Sequence, residues 1–451
     1  MVSTPLSFAF DNATGFSRAD IRFALLWGFL PNAIFVPISF FAAPVRTPAI
    51  LAYFLVGLLT ARLGGIVVAA ALACAIAFDV LWVISNAYNL SIAMVAESLS
   101  FAWHLKFYGS PIFLALAAGL VVQFTAILWL RKHWVCDLRI ARPYAGLLLV
   151  FLATLIDAAA NLPATTSIIG PALGRTDVRS ATSLSGFADR VLEERGDALL
   201  VIVEGYGVLA DAKLRAAVEA AFSDSKLLER YKVSVGDVPY QGSTTAGEIR
   251  ELCGTNTKYA QLASGEAEPT CLPTRLGEAG HETAGFHAFT GDFFERHAWW
   301  PKLGLGESYF AEELLQSGDR RWGHCGAVFT GLCDLELADV IQRRLASPNE
   351  KPRFIYWLTL NTHIPLMSEP DSSAFGCGTS SDPFSDAQTC AMGDIWARTF
   401  RAVADIALAE ESGLQILLVG DHAPPSWTRR GRALFEPGIV RWISLTPKRE
   451  D

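Results

Sequence analysis

The sequence predicts a helical membrane bundle of about five spans followed by an α/β domain on a mainly parallel central sheet. Three observations carry this. Hydrophobic residues make up 51% of the 451, and the mean hydropathy of +0.31 is too apolar for an ordinary soluble enzyme. The long apolar runs all lie before residue 162. After it, short apolar runs alternate with helical stretches, the pattern of βα units.

Residues 1–19 are polar and short. Ile21 to Pro44 has no charge after Arg22 and exceeds the ~20 residues a bilayer needs. The apolar runs that follow almost at once argue against a cleaved signal peptide. Thr47–Ala61 and Leu63–Ile84 are split by Arg62 and Gly64-Gly65 and read as two helices, the first one short, in preference to a single long span. Ala87–Gly109 sets Glu97, His104 and Lys106 among Leu, Phe and Trp, and reads as an amphipathic helix in the membrane interface. Pro111–Leu130 and Gly146–Ala160 are the fourth and fifth spans, joined by the most basic loop, with Arg131, Lys132, Arg139 and Arg142. The positive-inside rule puts that loop and the N-terminus in the cytoplasm, and everything after about residue 162 outside. The expected division is a transmembrane domain over 1–161, linker and domain entry over 162–195, and an extracytoplasmic domain over 196–451.

Charge and cysteine follow the same division. Residues 1–161 carry nine Lys and Arg against six acids, a net of +3, so −11 of the overall −8 falls to the remainder. An acidic domain argues against a nucleic-acid partner. Of the eight Cys, Cys74 and Cys136 lie in the first part. The other six fall in close pairs, Cys253/Cys271, Cys325/Cys333 and Cys377/Cys390. An even count confined to one part points to disulfides and an oxidising compartment. Six Cys allow 15 connectivities, and pairing of neighbours is the simplest. The spacings are too wide for a CxxC metal site.

In the second part Ala198–Val203, Phe354–Leu360 and Gln415–Val419 read as buried strands, and Leu335–Leu345 and Ile395–Ala409 as helices. Asn161–Ser185, rich in Pro, Thr, Ser and Gly, reads as linker. No internal repeat, P-loop or dinucleotide fingerprint is found. The strand exits carry the chemistry. Gln415–Val419 ends at Gly420, then Asp421 and His422, then Pro424-Pro425. A carboxylate and an imidazole at the carboxyl end of a buried strand lie where open α/β sheets place their sites. Both are ligand types for Zn²⁺ or Mn²⁺. Glu204 follows the apolar run 199–203, where a carboxylate is costly unless paired or on a metal. Gly242-Ser-Thr-Thr-Ala-Gly-Glu248 reads as a turn into a helix, with Ser243, Thr244 or Thr245 as N-cap. Free N–H groups there can face an anion, and a hydroxyl there can be a nucleophile if a base or metal activates it. His287, Arg296 and His297 sit in an aromatic-rich stretch, and Arg suits bidentate phosphate recognition. His363 is a further polar group at a strand exit, in Asn361-Thr-His-Ile-Pro365.

The order Val-Glu-Gly-Tyr-Gly, Gly-Ser-Thr-Thr-x-x-Glu, Gly-Phe-His with Arg296 beyond it, Asn-Thr-His-x-Pro and Gly-Asp-His resembles the alkaline phosphatase/sulfatase superfamily. Within it the chain is most similar to the membrane-anchored lipoteichoic acid synthases and phosphoethanolamine transferases. The resemblance implies a sulfatase-like α/β domain outside the membrane and one divalent metal, Zn²⁺ or Mn²⁺, on Glu204, Thr244, Asp421 and His422. It makes Thr244 the nucleophile and places His287, Arg296 and His363 on the phosphate or head group. Phe294 stands where the lipoteichoic acid synthases have a tryptophan near that head group. Sulfate-ester hydrolysis through formylglycine is not expected.

The function so implied is transfer of a phospholipid head group, phosphoethanolamine or phosphoglycerol, to a glycan or lipid acceptor through a phospho-threonine. His363, with an unperturbed pKa near ~6.5, would protonate a leaving group. The implied location is a bacterial inner membrane, with the second domain periplasmic or extracellular. A phosphodiesterase or phosphatase with water as acceptor, and an inactive glycan- or lipid-binding relative, are the alternatives.

Overall fold

The computed structural model describes residues 15–35, 45–88, 92–169, 178–318, 321–366, 373–411, 413–426 and 428–448. The chain forms two compact units: 1–97 with 111–166, and 98–110 with 167–451. The division differs from the expected one, because 98–110 belongs with the α/β unit.

The first unit is helical. Its elements are α1 (Arg18–Ala24), α2 (Thr47–Thr60), α3 (Gly65–Tyr88), α4 (Ile92–Ser98), α5 (Pro111–Ile140) and α6 (Tyr144–Ile169). Among the described residues three helices, α3, α5 and α6, are long and apolar enough to cross a membrane. Five spans were expected. The 14 residues of α2 rise only about 21 Å, against a ~30 Å hydrocarbon core. Ile21–Pro44 runs from α1 through a π turn and a 3₁₀ turn to Asn32, and its last part lies outside the described residues. The expected basic loop is mostly helix, since nothing interrupts α5 before Ile140 and Pro143 lies just beyond. Asp79, deep in α3, is not left bare in an apolar helix: Arg46 Nη2 pairs with it at 2.5 Å and Tyr53 OH donates to it at 3.0 Å. The expected interfacial helix over 87–109 is broken, with α4 followed by 3₁₀ turns at Leu99–His104 and Phe107–Gly109. The expected linker over 161–185 is helical as far as Ile169.

The second unit is an α/β layer structure. Strands β1 (Ala198–Val203), β2 (Gly207–Leu209), β3 (Tyr231–Pro239), β4 (Glu282–His287), β5 (Glu307–Tyr309), β6 (His324–Cys325), β7 (Gly331–Leu332), β8 (Arg353–Leu358), β9 (Gln415–Gly420) and β10 (Phe435–Pro447) follow in chain order. The main sheet runs β2-β10-β9-β1-β8-β4-β5, with β3 also on β10. From β9 to β5 all neighbours are parallel; β10 is antiparallel to β9, β2 and β3. Side chains of a strand alternate between faces. Leu199, Val201 and Val203 thus enter one core with the helices Asp334–Ala346 and Ala387–Ala409, while Ala198, Leu200 and Ile202 enter another with Ile249 and Leu252. All six residues of β1, β8 and β9 are buried, which explains their unbroken apolar runs. The three disulfides join sequence neighbours: Cys253–Cys271, Cys325–Cys333 and Cys377–Cys390.

Candidate active site

Parallel β1, β9, β8 and β4 end on one edge of the sheet, and their exits bring together residues as far apart in sequence as Glu204 and His422. Glu204 is the first residue past β1. Its N–H donates to Thr359 Oγ1 at 2.9 Å, and its carbonyl accepts Thr362 Oγ1 at 2.6 Å and Trp396 Nε1 at 3.2 Å. Asp421, at the exit of β9, is fully buried. Its Oδ1 accepts Gly205 N–H at 2.8 Å and His422 N–H at 2.7 Å, while Oδ2 has no hydrogen-bond partner. His422 Nδ1 lies 2.9 Å from Ala423 O. A neutral ring that donates there carries its lone pair on Nε2. That atom stands 3.5 Å from Glu204 Oε1 and 3.4 Å from Asp421 Oδ2. Gly420 is part of β9 and not a breaker: a Cβ there would lie 1.9 Å from Tyr206 O.

Thr244 opens the helix Thr244–Cys253, whose N-cap is Ser243 without a side-chain cap bond. The Thr244 hydroxyl donates to Glu204 Oε2 at 3.0 Å and lies 3.4 Å from His422 Nε2. Gly247 lets this helix press on the β9 exit, since a Cβ there would come within 2.7 Å of Asp421 Cβ. Ligand atoms of Glu204, Asp421 and His422 lie within 4.8 Å of one another. Donors on a tetrahedral cation with bonds of about 2.1 Å stand about 3.4 Å apart, close to the 3.4 and 3.5 Å found here. Burial, and then the charge of Asp421, push the Glu204 carboxyl well above the ordinary range. Two buried carboxylates side by side stay ionised only with positive charge between them. Together with the orphaned Asp421 Oδ2, these features fit a divalent cation.

The remaining predicted residues have partners of their own within the domain. Arg296 is 2% exposed and tied to Glu248, with Nη2 at 2.9 Å and Nε at 3.2 Å from Oε2, while Nη1 donates to Phe293 O at 3.1 Å. Its fork is therefore occupied by a carboxylate and not held open for phosphate. Glu248 also accepts Trp300 Nε1 and Tyr356 OH, each at 3.0 Å. His287 is buried, its Nδ1 3.0 Å from Leu358 O; burial and then Arg296 hold its pKa well below the usual histidine value. His363 Nδ1 lies 3.0 Å from Ile364 O, and the ring stacks on Phe329 at 3.5 Å between centroids. Burial lowers its pKa to about 4, which favours the neutral ring at neutral pH. Phe294 takes a left-handed conformation, φ 56°. Its ring meets Tyr259 at 5.4 Å and Phe101 at 5.5 Å, and the Arg296 guanidinium lies 5.8 Å from its centroid. His297 is half exposed and pairs with Asp292 at 3.2 Å.

Sequence reasoning gave no role to Glu248 or Arg250. Arg250 clamps the β9 exit, donating to Gly420 O at 2.8 Å and Asp421 O at 3.1 Å. Glu248 had one signal, its place in Gly-Ser-Thr-Thr-x-x-Glu. The string Cys-x-Pro-x-Arg, which true sulfatases convert to formylglycine, does occur here, at Cys271–Arg275. It is not at this site. Cys271 is buried and bonded to Cys253, at the far end of the Thr244 helix, about 14 Å along the axis.

Residues 241–389 match the family model described as Sulfatase. The second unit thus carries a sulfatase-like domain. No curated protein sequence matches the chain. Similar solved structures include the lipoteichoic acid synthase LtaP from Listeria monocytogenes, at 14% identity and TM-score 0.42, covering 57% of this chain and 66% of that one. The Streptococcus pyogenes phosphoglycerol transferase GacH in complex with sn-glycerol-1-phosphate has 14% identity and TM-score 0.40, covering 58% and 73%. The periplasmic domain of Escherichia coli EptC in complex with Zn has 12% identity and TM-score 0.37, covering 56% and 73%. The chain spans just under two thirds of the Listeria protein's length.

Proposed function

We propose that this protein is a metal-dependent phosphotransferase that moves the head group of a phospholipid to a glycan or lipid acceptor through a phospho-threonine, from a bacterial inner membrane with the sulfatase-like domain outside. The observation that supports it is the meeting of the Thr244 hydroxyl with Glu204, His422 and the unpartnered oxygen of Asp421. The motif order supports phosphoethanolamine or phosphoglycerol as the group moved.

Glu204, Thr244, Asp421 and His422 would hold a divalent cation, zinc or manganese, which when bound supplies charge that lowers the pKa of an oxygen it touches. Thr244 starts a helix, so the positive dipole end lies at the nucleophile and favours the phosphate. Its hydroxyl gives its proton to Glu204 as its oxygen attacks phosphorus in line. The bond from phosphorus to the diacylglycerol oxygen breaks, that oxygen takes up the proton, and the head-group phosphate is left esterified to Thr244. An acceptor hydroxyl then attacks phosphorus and releases the Thr244 oxygen, which is reprotonated. His363, with Nδ1 3.0 Å from Ile364 O, is the histidine this reading assigns to proton transfer with the acceptor or the leaving group. Arg296, Glu248 and His287 position the phosphate pocket behind it.

Labelled phosphatidylethanolamine and phosphatidylglycerol in vesicles test the reading. Thr244→Ala should cut diacylglycerol release at least about a thousandfold while leaving the fold intact. Full turnover in that variant would remove Thr244 from the role, with Thr245 the next candidate. Mass spectrometry of the adduct, with and without acceptor, separates transfer from hydrolysis.

A further inference from the structure

Residues 98–110 lie between helices of the first unit in sequence, yet belong to the sulfatase-like unit. Their inner side is packed on it. Phe101 meets Phe293 at 5.9 Å and Phe294 at 5.5 Å, and the His104 ring meets Phe293 at 6.3 Å. Lys106 N–H donates to Val328 O at 2.9 Å. Gly109 comes so close that a Cβ would lie 2.5 Å from Ala327 O. The contacts continue inward, from Phe293 to Phe329 at 5.9 Å and from Phe329 to His363 at 3.5 Å.

The outer side is of a different kind. Trp103 is 74% exposed, Tyr108 72%, Leu99 54% and Phe107 45%, with the exposed Lys106 among them and no acid from 98 to 110. Large aromatic rings with a lysine are what the polar–apolar boundary of a bilayer accommodates. Chain length fixes which boundary is within reach. Tyr108 is three residues from Pro111, the first residue of a 30-residue helix long and apolar enough to span; three residues extend at most about 11 Å.

We propose that residues 98–110 are a membrane-seated wall of the candidate site: Trp103, Phe107, Tyr108 and Lys106 rest in the outer lipid interface, and Phe101 backs the aromatic group beside Arg296 and His363. This deepens the proposed function by naming how a lipid donor is met, and its seating in lipid is testable without turnover.

The full chain is reconstituted in phosphatidylglycerol vesicles carrying lipids brominated either near the glycerol backbone or near the chain ends. The emission lost in Trp103→Phe isolates the Trp103 component. That component should be quenched at least about twofold more by the shallow bromines than by the deep ones, and shielded from aqueous iodide. A Trp103 component open to iodide and untouched by either brominated lipid would overturn the seating. Trp103→Ser with Tyr108→Ser should then raise the KM for vesicle-borne donor about tenfold, with kcat and the turnover of a short-chain soluble donor kept. Equal losses on both donors would overturn the lipid-meeting role, and a wild-type protein that turns over neither donor would sink the proposed function while leaving the quenching result standing.

Discussion

Asp421 and Glu204 could be picked out of the sequence because each puts a carboxylate straight after an apolar run, where burial without a partner is costly. What the sequence could not carry was depth. Arg296 reads as a cation suited to phosphate, and the sequence does not show that Glu248, fully buried 48 positions away, holds it. His363 reads as a titrating acid until burial takes its pKa to about 4. Asp334 carries no such signal in the sequence. It begins the helix Asp334–Ala346, and its Oδ2 accepts the N–H groups of Leu360 and Asn361 at 2.9 and 2.7 Å, fixing the β8 exit ahead of His363. Burial raises its pKa to about 7 against those two bonds. An unfolded aspartate titrates near ~3.9, so between the two values the folded state holds the extra proton. The contribution is complete below about pH 4 and is lost as pH rises through 7. Asp334→Asn should therefore flatten a stability slope approaching ~1.4 kcal/mol per pH unit in that window. Thermal melts should show the variant gaining on the wild type more at pH 8 than at pH 5, and an equal shift at both would exclude this titration.

Elements were legible where composition and period agree. β1 starts and ends where expected, and β8 and β9 differ by a residue or two. The ends of the apolar helices were misplaced, because hydropathy falls at Arg131 while helix continues to Ile140, and charge alone does not stop a helix. The fit of the Thr244 helix against β9 has no sequence signal beyond a glycine. Gly247 is there for space, with Asp421 Cβ 2.7 Å from where a methyl would be. Gly247→Ala should cost about 1–3 kcal/mol through overpacking and move Asp421 relative to Thr244. Equilibrium dialysis with Zn²⁺ should show affinity falling by about tenfold or more. Unchanged metal binding in a folded Gly247→Ala protein would mean that the contact does not set the site.

At the scale of the whole chain, the split of charge and of cysteine was visible from the start: six Cys form three bridges in one unit, while Cys74 and Cys136 remain free in the other. The orientation proposed from basic residues makes a specific demand on Cys136, which is exposed near Arg131, Lys132 and Arg139. In intact cells a membrane-impermeant maleimide should leave it unlabelled, and inverted vesicles should expose it. Labelling from outside would reverse the topology. The bridges should contribute about 2–4 kcal/mol each, in keeping with the oxidising compartment proposed for the sulfatase-like domain.

The course of the chain at residues 98–110 has a practical result. The polypeptide passes from one unit to the other at 97/98, again at 110/111 and a third time at 166/167. One protease nick after the last helix would therefore not set the C-terminal part loose, since Phe101 and Lys106 still grip it. A truncated fragment starting beyond residue 167 would be born with Phe293 and Phe294 stripped of their cover, and should be stickier and less ordered there than the same surface in the intact protein.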